Sequence, residues 1–394
     1  MPVEPRHILI VGGGEFGLTA ALALRLRGWR VTVLEAATVP RPTAASTDIS
    51  KVVRVDYGAD ALNTRLGELA LEGWQRWNHD WEQTLYHADG FLVLTRHPLK
   101  EGTFEGDSYR YLTTRGHELE QLDAAAISAR YPAWADAGFQ AGYLNPLGGW
   151  AASGLTMAIL AAKAKAAGVV IREQTTFDCF LEKDSRVVGV EDSHGVKHRA
   201  DLVMISAGAW TPTLLPHLGK VMHAIAQPVF HFKVDDAAAF QSPRFPVWAA
   251  DIARTGWYGF PALNDGTLKI ANHGPGRRIH PDAPRDVTPE ELAHVRAFMR
   301  ESLPQIADAP LISNRLCLYC DTFDSHFWID RDTQRPGLIV AAGDSGHAFK
   351  FAPVMGDLIA DVVEEKENPL AQSFRTREPI AKTAEGARWD GKAQ

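Results

Sequence analysis

The segment from His7 to Glu35 constrains the fold more than any other. His7-Ile-Leu-Ile-Val11 is a short run rich in branched residues, the pattern of a strand buried on both faces of a parallel sheet. It enters Gly12-Gly13-Gly14-Glu15-Phe16-Gly17, in which Gly12, Gly14 and Gly17 satisfy the G-x-G-x-x-G spacing. A helical stretch rich in alanine and leucine follows, Leu18 to Arg27, and ends at Gly28. A second strand, Arg30 to Leu34, delivers Glu35. Gly12 permits the tight turn, Gly14 lets backbone approach a pyrophosphate, and Gly17 lets helix and strand pack closely. The helix N-terminus offers unpaired N–H groups and the positive end of its dipole to phosphates. Glu35 is placed to accept hydrogen bonds from ribose hydroxyls. A lone glycine motif is weak evidence, but strand, helix, second strand and terminal acid in this order mark a dinucleotide site. The acid disfavours NADP; it does not separate NAD from FAD.

Further along, Leu62 to Trp81 reads as an amphipathic helix, Gly90 to Thr95 as a strand and Asp123 to Ala129 as a short helix. Ser153 to Ala167 is a second alanine-rich helix, followed by the strand Val169 to Arg172. Arg186 to Glu191, the turn Ser193-His-Gly195 and a following strand predict a hairpin. Asp201 to Trp210 is a buried strand ending in small residues, and Gln227 to Val234 and Gly256 to Ile270 alternate like antiparallel sheet. Thr288 to Leu303 reads as a helix with Pro289 near its start. Gly337 to Gly343 is a last strand, running into Asp344-Ser-Gly-His347 and a helix. Nucleotide-type strands thus fall at the start, middle and end, with sheet-rich insertions between them. That layout favours a flavoprotein over a two-half NAD dehydrogenase. The expected class is α/β: a Rossmann-like domain (1–85, 141–225 and 320–385) interleaved with an α+β substrate domain built on an antiparallel sheet (86–140 and 226–319).

Composition narrows the partners. At 394 residues, with 45% hydrophobic and 23% charged residues, the chain matches a soluble globular protein. A net charge of −7 and dispersed basic residues argue against nucleic acid and against a polybasic membrane patch. No apolar run approaches the ~18 residues of a membrane span, and no signal-peptide pattern is visible, so the expected location is cytoplasmic. Cys179, Cys317 and Cys320 do not form a disulfide framework. No metal-ligand spacing is evident.

Several segments resemble the monomeric sarcosine oxidase family and its relatives, the amadoriases (fructosyl amino-acid oxidases), pipecolate oxidases and saccharopine oxidases. Cys317-Leu-Tyr-Cys-Asp-Thr-Phe-Asp-Ser-His-Phe-Trp-Ile-Asp330 and Ala341-Ala-Gly-Asp-Ser-Gly-His-Ala-Phe-Lys-Phe351 are similar to the family's flavin-attachment and closing motifs. Tyr258-Gly-Phe-Pro261, Leu268-Lys269 and His273 resemble the strand that sets a lysine beside the flavin. Ser50-Lys-Val-Val-Arg54 with Tyr57-Gly58 resembles the active-site segment below it. The resemblance implies a glutathione-reductase-type FAD domain and FAD tethered through a thioether at Cys317, with Cys320 a bystander near the substrate cavity. It also implies cofactor contacts from Gly12, Gly14, Gly17, Glu35, Gly343, Gly346, His347 and Lys350. Lys269, with His273 and Tyr258, is the implied catalytic group, a fixed cation that stabilises charge on oxygen. Arg54, Lys51, Lys350 and Tyr319 are the implied substrate contacts, since cations suit a carboxylate and arginine binds one with a planar fork.

Three departures bear on the substrate. Lys51 stands where sarcosine oxidases have arginine and amadoriase-like relatives have lysine after a segment like Asp48-Ile-Ser; Ala59 replaces a glutamate; and Asn145-Pro-Leu-Gly-Gly-Trp150 is closer to the amadoriase and saccharopine side. They favour a larger N-substituted amino acid over sarcosine. The expected partners are a small amine substrate and O2, in a monomer or small homo-oligomer. A dehydrogenase using another acceptor and a non-catalytic flavin-binding regulatory module are the alternatives.

Overall fold

The computed structural model describes residues 5–379 and 385–392. His7–Val11 lies near the middle of a six-stranded sheet, ordered Trp328–Arg331, Leu338–Ala342, Leu202–Ile205, His7–Val11, Arg30–Leu34 and Val170–Arg172. Every neighbouring pair is parallel except Trp328–Arg331 against Leu338–Ala342. The apolar runs read from sequence are buried on both faces. On one side Ile8, Ile10, Val31 and Val33 meet the helices Glu15–Leu26, Ser153–Ala166 and Ala352–Val363. On the other, Leu9, Val203 and Val340 meet Val187 and Val190 of a three-stranded antiparallel layer, Phe177–Lys183, Arg186–Asp192 and Lys197–Arg199. The predicted hairpin is present and carries one more strand before it.

The second sheet contains nine strands among the described residues, with the long strands Met222–Lys233 and Leu311–Thr322 paired antiparallel. It is antiparallel except where Val247–Ala250 joins Phe91–Thr95 in parallel. Gly256 to Ile270 is a hairpin, Trp257–Gly259 and Thr267–Asn272, rather than one run. The expected boundary at 140/141 falls just before Ala141–Asn145, a strand of this second sheet; those at 225/226 and 319/320 fall inside its two long strands. The helix Pro289–Ser302, opened by a Thr288–Glu291 capping box, covers one face through Val295, Phe298 and Met299, which pack with Trp134, Trp248, Leu268 and Ile270. Alternation along Thr267–Asn272 sends Leu268 and Ile270 into that core and turns Lys269 the other way. Along Leu311–Thr322 the same alternation turns Cys317 and Tyr319 to one face and Cys320 to the other, where it packs with Leu338 and Val340 of the first sheet. No helix among the described residues is long and apolar enough to cross a membrane.

Candidate active site

The first helix starts at Glu15, three residues before the predicted Leu18, so the glycine turn feeds straight into its first turn. The N–H groups of that turn have no partner within the helix. Gly12 has φ +112°, and a Cβ there would meet Ser206 O at 2.3 Å; a Cβ on Gly17 would meet Gly12 O at 2.0 Å. These two glycines let strand and helix close on each other. Gly14 is different: its nearest obstacle is Ser46 Oγ at 3.8 Å, so its backbone faces open space. That space is an elongated cleft of about 480 Å3. It runs from Glu35, Arg41 and Thr175 past Gly12, Gly14, Ser46 and Ala207 to Cys317, Tyr319 and Phe349. Glu35 carries out a further task there, accepting from Gly13 N at 2.9 Å and Ala37 N at 3.0 Å, so that it braces the glycine turn. Long, lined by small residues and opened at a helix N-terminus, the cleft fits an extended dinucleotide such as FAD.

At its inner end the cleft shares Lys51, Tyr319, Gly346 and Phe349 with a smaller cavity of about 70 Å3. Arg54, Tyr258, Lys269, His273, His347 and Lys350 also face that cavity. The structure therefore brings together residues from widely separated segments. Cys317 lies where the two spaces meet, with Lys51 Nζ 3.9 Å from its sulfur. Cys320, expected near the substrate cavity, is instead on the opposite face of its strand, packed in the core with its sulfur 3.8 Å from Met222 Sδ. The odd spacing of 317 and 320 on a strand requires this. Gly343 also stands back from both spaces, closely packed on Thr322 and Trp328.

The small cavity is ringed by buried ions. Lys269 Nζ, with a side chain only 2% exposed, pairs with Asp48 Oδ2 at 2.7 Å and donates to Ser50 O at 2.5 Å. Burial lowers its pKa to about 8, with Asp48 opposing the shift. Asp48 itself would be raised by burial, but Lys269 and a hydrogen bond from His231 hold it well below the usual carboxylate range. His231 is Lys269's cross-strand partner, and its ring bridges Asp48 (3.2 Å) and Ser313 Oγ (2.9 Å). Arg54 Nη2 meets Glu385 Oε1 at 2.6 Å, and Arg54 Nη1 donates to Asp56 O. The other oxygen of Glu385 lies 2.9 Å from His273 Nε2. Burial lowers the pKa of His273 despite this carboxylate. His347 is pushed down to about 3 by burial and by Lys350; its Nε2 reaches Ser325 O (2.9 Å) and its Nδ1 lies 3.1 Å from Tyr57 Oη. Lys350 Nζ donates to His347 O at 2.7 Å, and burial, then Arg54, hold its pKa well below the ordinary lysine value.

Sequence reasoning did not single out His231 or Glu385, and it met Asp48 only as part of a motif. The pairing of Lys269 with a carboxylate had no local signal, since Asp48 lies far away in sequence. Glu15 was also missed, although it stands within the glycine motif. Its carboxyl lines the cleft, and burial, then Asp344, push its pKa well up.

The sequence model of the family described as FAD dependent oxidoreductase matches residues 7–362. The chain is 26% identical over 361 residues to monomeric sarcosine oxidase of Bacillus sp. (strain B-0618), covering 90% of this chain and 91% of that protein. It is 27% identical over 420 residues to L-saccharopine oxidase of Schizosaccharomyces pombe, covering 95% and 93%. With N-methyl-L-tryptophan oxidase of Salmonella typhi it shares 28% over 360 residues, covering 90% and 93%. Among solved structures, fructosyl amine: oxygen oxidoreductase (Amadoriase I) of Aspergillus fumigatus superposes with a TM-score of 0.84 at 25% identity, covering 100% of this chain and 95% of that one.

Proposed function

We propose, for a chain that belongs to the FAD-dependent oxidoreductase family, that it oxidises a secondary amine bearing a carboxylate, an N-substituted amino acid, with O2 as electron acceptor. The observation that carries this reading is the junction of the two spaces: a dinucleotide cleft opening through Lys51, Tyr319 and Gly346 into a small cavity ringed by buried cations. The relatives named as oxidases of sarcosine, saccharopine and N-methyl-L-tryptophan support the substrate class. When bound, FAD supplies the two-electron acceptor that takes hydride equivalents from the substrate α-carbon and passes them to O2, giving an imine and hydrogen peroxide. The chain's own groups bind, orient and supply charge. Cationic side chains at the cavity favour a carboxylate, and Tyr258 and Tyr319 present hydroxyls beside it. Neutral His273 and His347 add polar surface without adding positive charge. Lys269, held in place by Asp48 and Ser50, keeps a cation where negative charge develops on oxygen, so little reorganisation is needed. Imine hydrolysis consumes one water and releases the amine and carbonyl products.

Cys317 is the residue for covalent attachment, since its sulfur faces the inner end of the cleft. A soluble, cytoplasmic monomer or small oligomer fits this reading. Anaerobic titration of the purified holoprotein with fructosyl amino acids, saccharopine, pipecolate, N-methyl-L-tryptophan, sarcosine and proline tests it. Bleaching of the flavin by an N-substituted amino acid, with stoichiometric peroxide once air is admitted, is the expected result. Protein that carries no flavin, or flavin that no amine bleaches, defeats the proposal. Bleaching followed by reoxidation only with a quinone or protein acceptor makes the enzyme a dehydrogenase.

A further inference from the structure

Glu15 is the first residue of the helix Glu15–Leu26, directly after Gly14 in the turn that suits a diphosphate. It lines the cleft, yet the residue is only 7% exposed. An acid in a first helical turn is ordinarily favoured as the anion by the N–H groups and dipole around it. Glu15 Oε1 takes none of those donors: it is buried and has no hydrogen-bond partner among the described residues. Burial, then Asp344, push the carboxyl's pKa well up instead. Asp344 is in a different state. Its Oδ1 accepts from Gly346 N at 2.9 Å and its Oδ2 from Cys320 N at 3.0 Å. Burial raises its pKa to about 6, Asp321 adds to the rise, and the two N–H groups and Lys51 oppose it. Asp344 is therefore the anion at neutral pH, and Glu15 is the acid with an oxygen to spare. The other ionisable groups of the cleft are engaged elsewhere. Arg41 pairs with Glu35 at 3.5 Å, Asp282 accepts from Trp210 Nε1 at 2.6 Å, Lys51 Nζ lies 3.9 Å from the Cys317 sulfur, and Tyr319 borders the small cavity.

A carboxylate at this place would set its charge against the cofactor's diphosphate, and both would compete for one helix N-terminus. A neutral carboxyl does the opposite, because its O–H is a donor where phosphate and ribityl oxygens are acceptors. We propose that Glu15 is the neutral acid beside bound FAD, donates a hydrogen bond to an oxygen of its diphosphate–ribityl chain, and so couples cofactor binding to uptake of a proton. The proton comes from solvent and stays on the Glu15 carboxyl; no bond of the cofactor changes. Asp344, charged next to it, disfavours ionisation of Glu15 and fixes which of the two acids carries the proton. Two acids whose surroundings drive their pKa values apart can keep one of them neutral at neutral pH. The cofactor is then held most tightly at low pH and loosened as pH rises. This rests on the cleft as the family's FAD site, not on the identity of the amine.

The test uses Cys317→Ser protein, in which no thioether can form, and follows FAD affinity by the change in flavin fluorescence on binding. Glu15 titrates at higher pH in the complex than in the free protein. Affinity should therefore be constant below the free-protein value and fall above it, by up to about tenfold per pH unit. Glu15→Gln in that background keeps a neutral donor. Its affinity should vary far less with pH and exceed the parent's by about tenfold or more on the alkaline side. Glu15→Ala should be equally flat, and weaker than Glu15→Gln by about two- to tenfold, the size of one hydrogen bond. Calorimetry in buffers of different ionisation enthalpy should show proton uptake by the parent and its loss in Glu15→Gln. In wild-type holoprotein, Glu15→Gln should remove one infrared C=O band of a neutral carboxyl. General damage to the fold weakens FAD binding at every pH, so tightening on the alkaline side separates the proposed role from a structural one. If the variants do not fold, the parent decides: proton uptake on binding supports the inference, and its absence overturns it. The inference also falls if Glu15→Gln keeps the parent's pH dependence, which assigns the proton to another group such as Asp344, or binds more weakly than the parent throughout. Flavin that amines still bleach in those cases leaves the proposed function standing. Protein that binds no FAD at any pH removes both.

Discussion

The two adjoining spaces are built on opposite principles. The large cleft is made by backbone: glycines that let strand and helix approach, a helix N-terminus, and small residues along its length. The small cavity is made by side chains, and its ions are paired across long sequence separations, Asp48 with Lys269 and Arg54 with Glu385. A backbone site tolerates change at most surrounding side chains but almost none at its close approaches. A site of buried ions is sensitive everywhere, because removing one partner leaves the other charged in a dry environment. The contrast teaches that cofactor binding and reaction specificity can fail separately in this molecule.

The largest expected effect falls on the cleft. Gly17→Val would set a branched side chain where even a Cβ lies 2.0 Å from Gly12 O. The atom struck is backbone in a buried strand-to-helix turn, so relief requires moving the turn. Overpacking of this kind costs about 1–3 kcal/mol in ordinary cores. We expect protein that is destabilised and purifies without flavin, read by absorbance near the flavin bands and by thermal melting. Normal flavin content would break the claim that this region is shaped by close backbone approach.

Next comes the cavity's central cation. Lys269→Met should leave flavin reduction by substrate within a few fold while slowing reoxidation by oxygen by about 10²–10³-fold, the usual cost of removing one preorganised charge-stabilising group. Stopped-flow measurement of the two half-reactions separates them. Asp48 loses its ion-pair partner in this variant, so flavin content and melting temperature must accompany the rates. Unchanged reoxidation would remove Lys269 from oxygen chemistry and make the cavity purely a binding site. A third, qualitative test joins the regions: acid precipitation should carry flavin down with the wild-type protein and release it from Cys317→Ser. Yellow supernatant from wild type would rule out the attachment.

How much of this was legible beforehand follows the same division. The cleft could be read from His7 to Glu35 because a backbone site is local, and its strand, glycines, helix and acid occur in order. The helix start was misplaced at Leu18 because Gly17 reads as a breaker, whereas its missing side chain is needed inside the first turn. Lys269, Cys317 and Lys350 were found only through resemblance of short motifs. Their carboxylate neighbours were not, since nothing near Glu385 in sequence indicates that it meets Arg54, more than three hundred residues away. The antiparallel second sheet was anticipated from alternation, but its one parallel join depends on tertiary packing that no local period encodes.

The smallest effect is a shift along the pH axis, and it probes the buried-ion principle most directly. Lys269 is lowered to about 8 chiefly by burial, with Asp48 as the main opposing influence. The ammonium is therefore present below about pH 8 and lost above it. If the cation assists oxygen, the reoxidation rate should be flat on the acid side and fall as pH rises through that value. Asp48→Asn removes the opposing charge but keeps a hydrogen-bond acceptor for the ammonium. The pKa should then fall further, and the falling limb should move to lower pH by about 1–3 units, the usual influence of one close opposite charge. At pH 7 the same variant should be slower in reoxidation, and the difference should shrink as the solution is made more acidic. A limb that stays where it was would mean that another group controls the profile, for Lys269 cannot lose the carboxylate it is paired with at 2.7 Å and titrate unchanged.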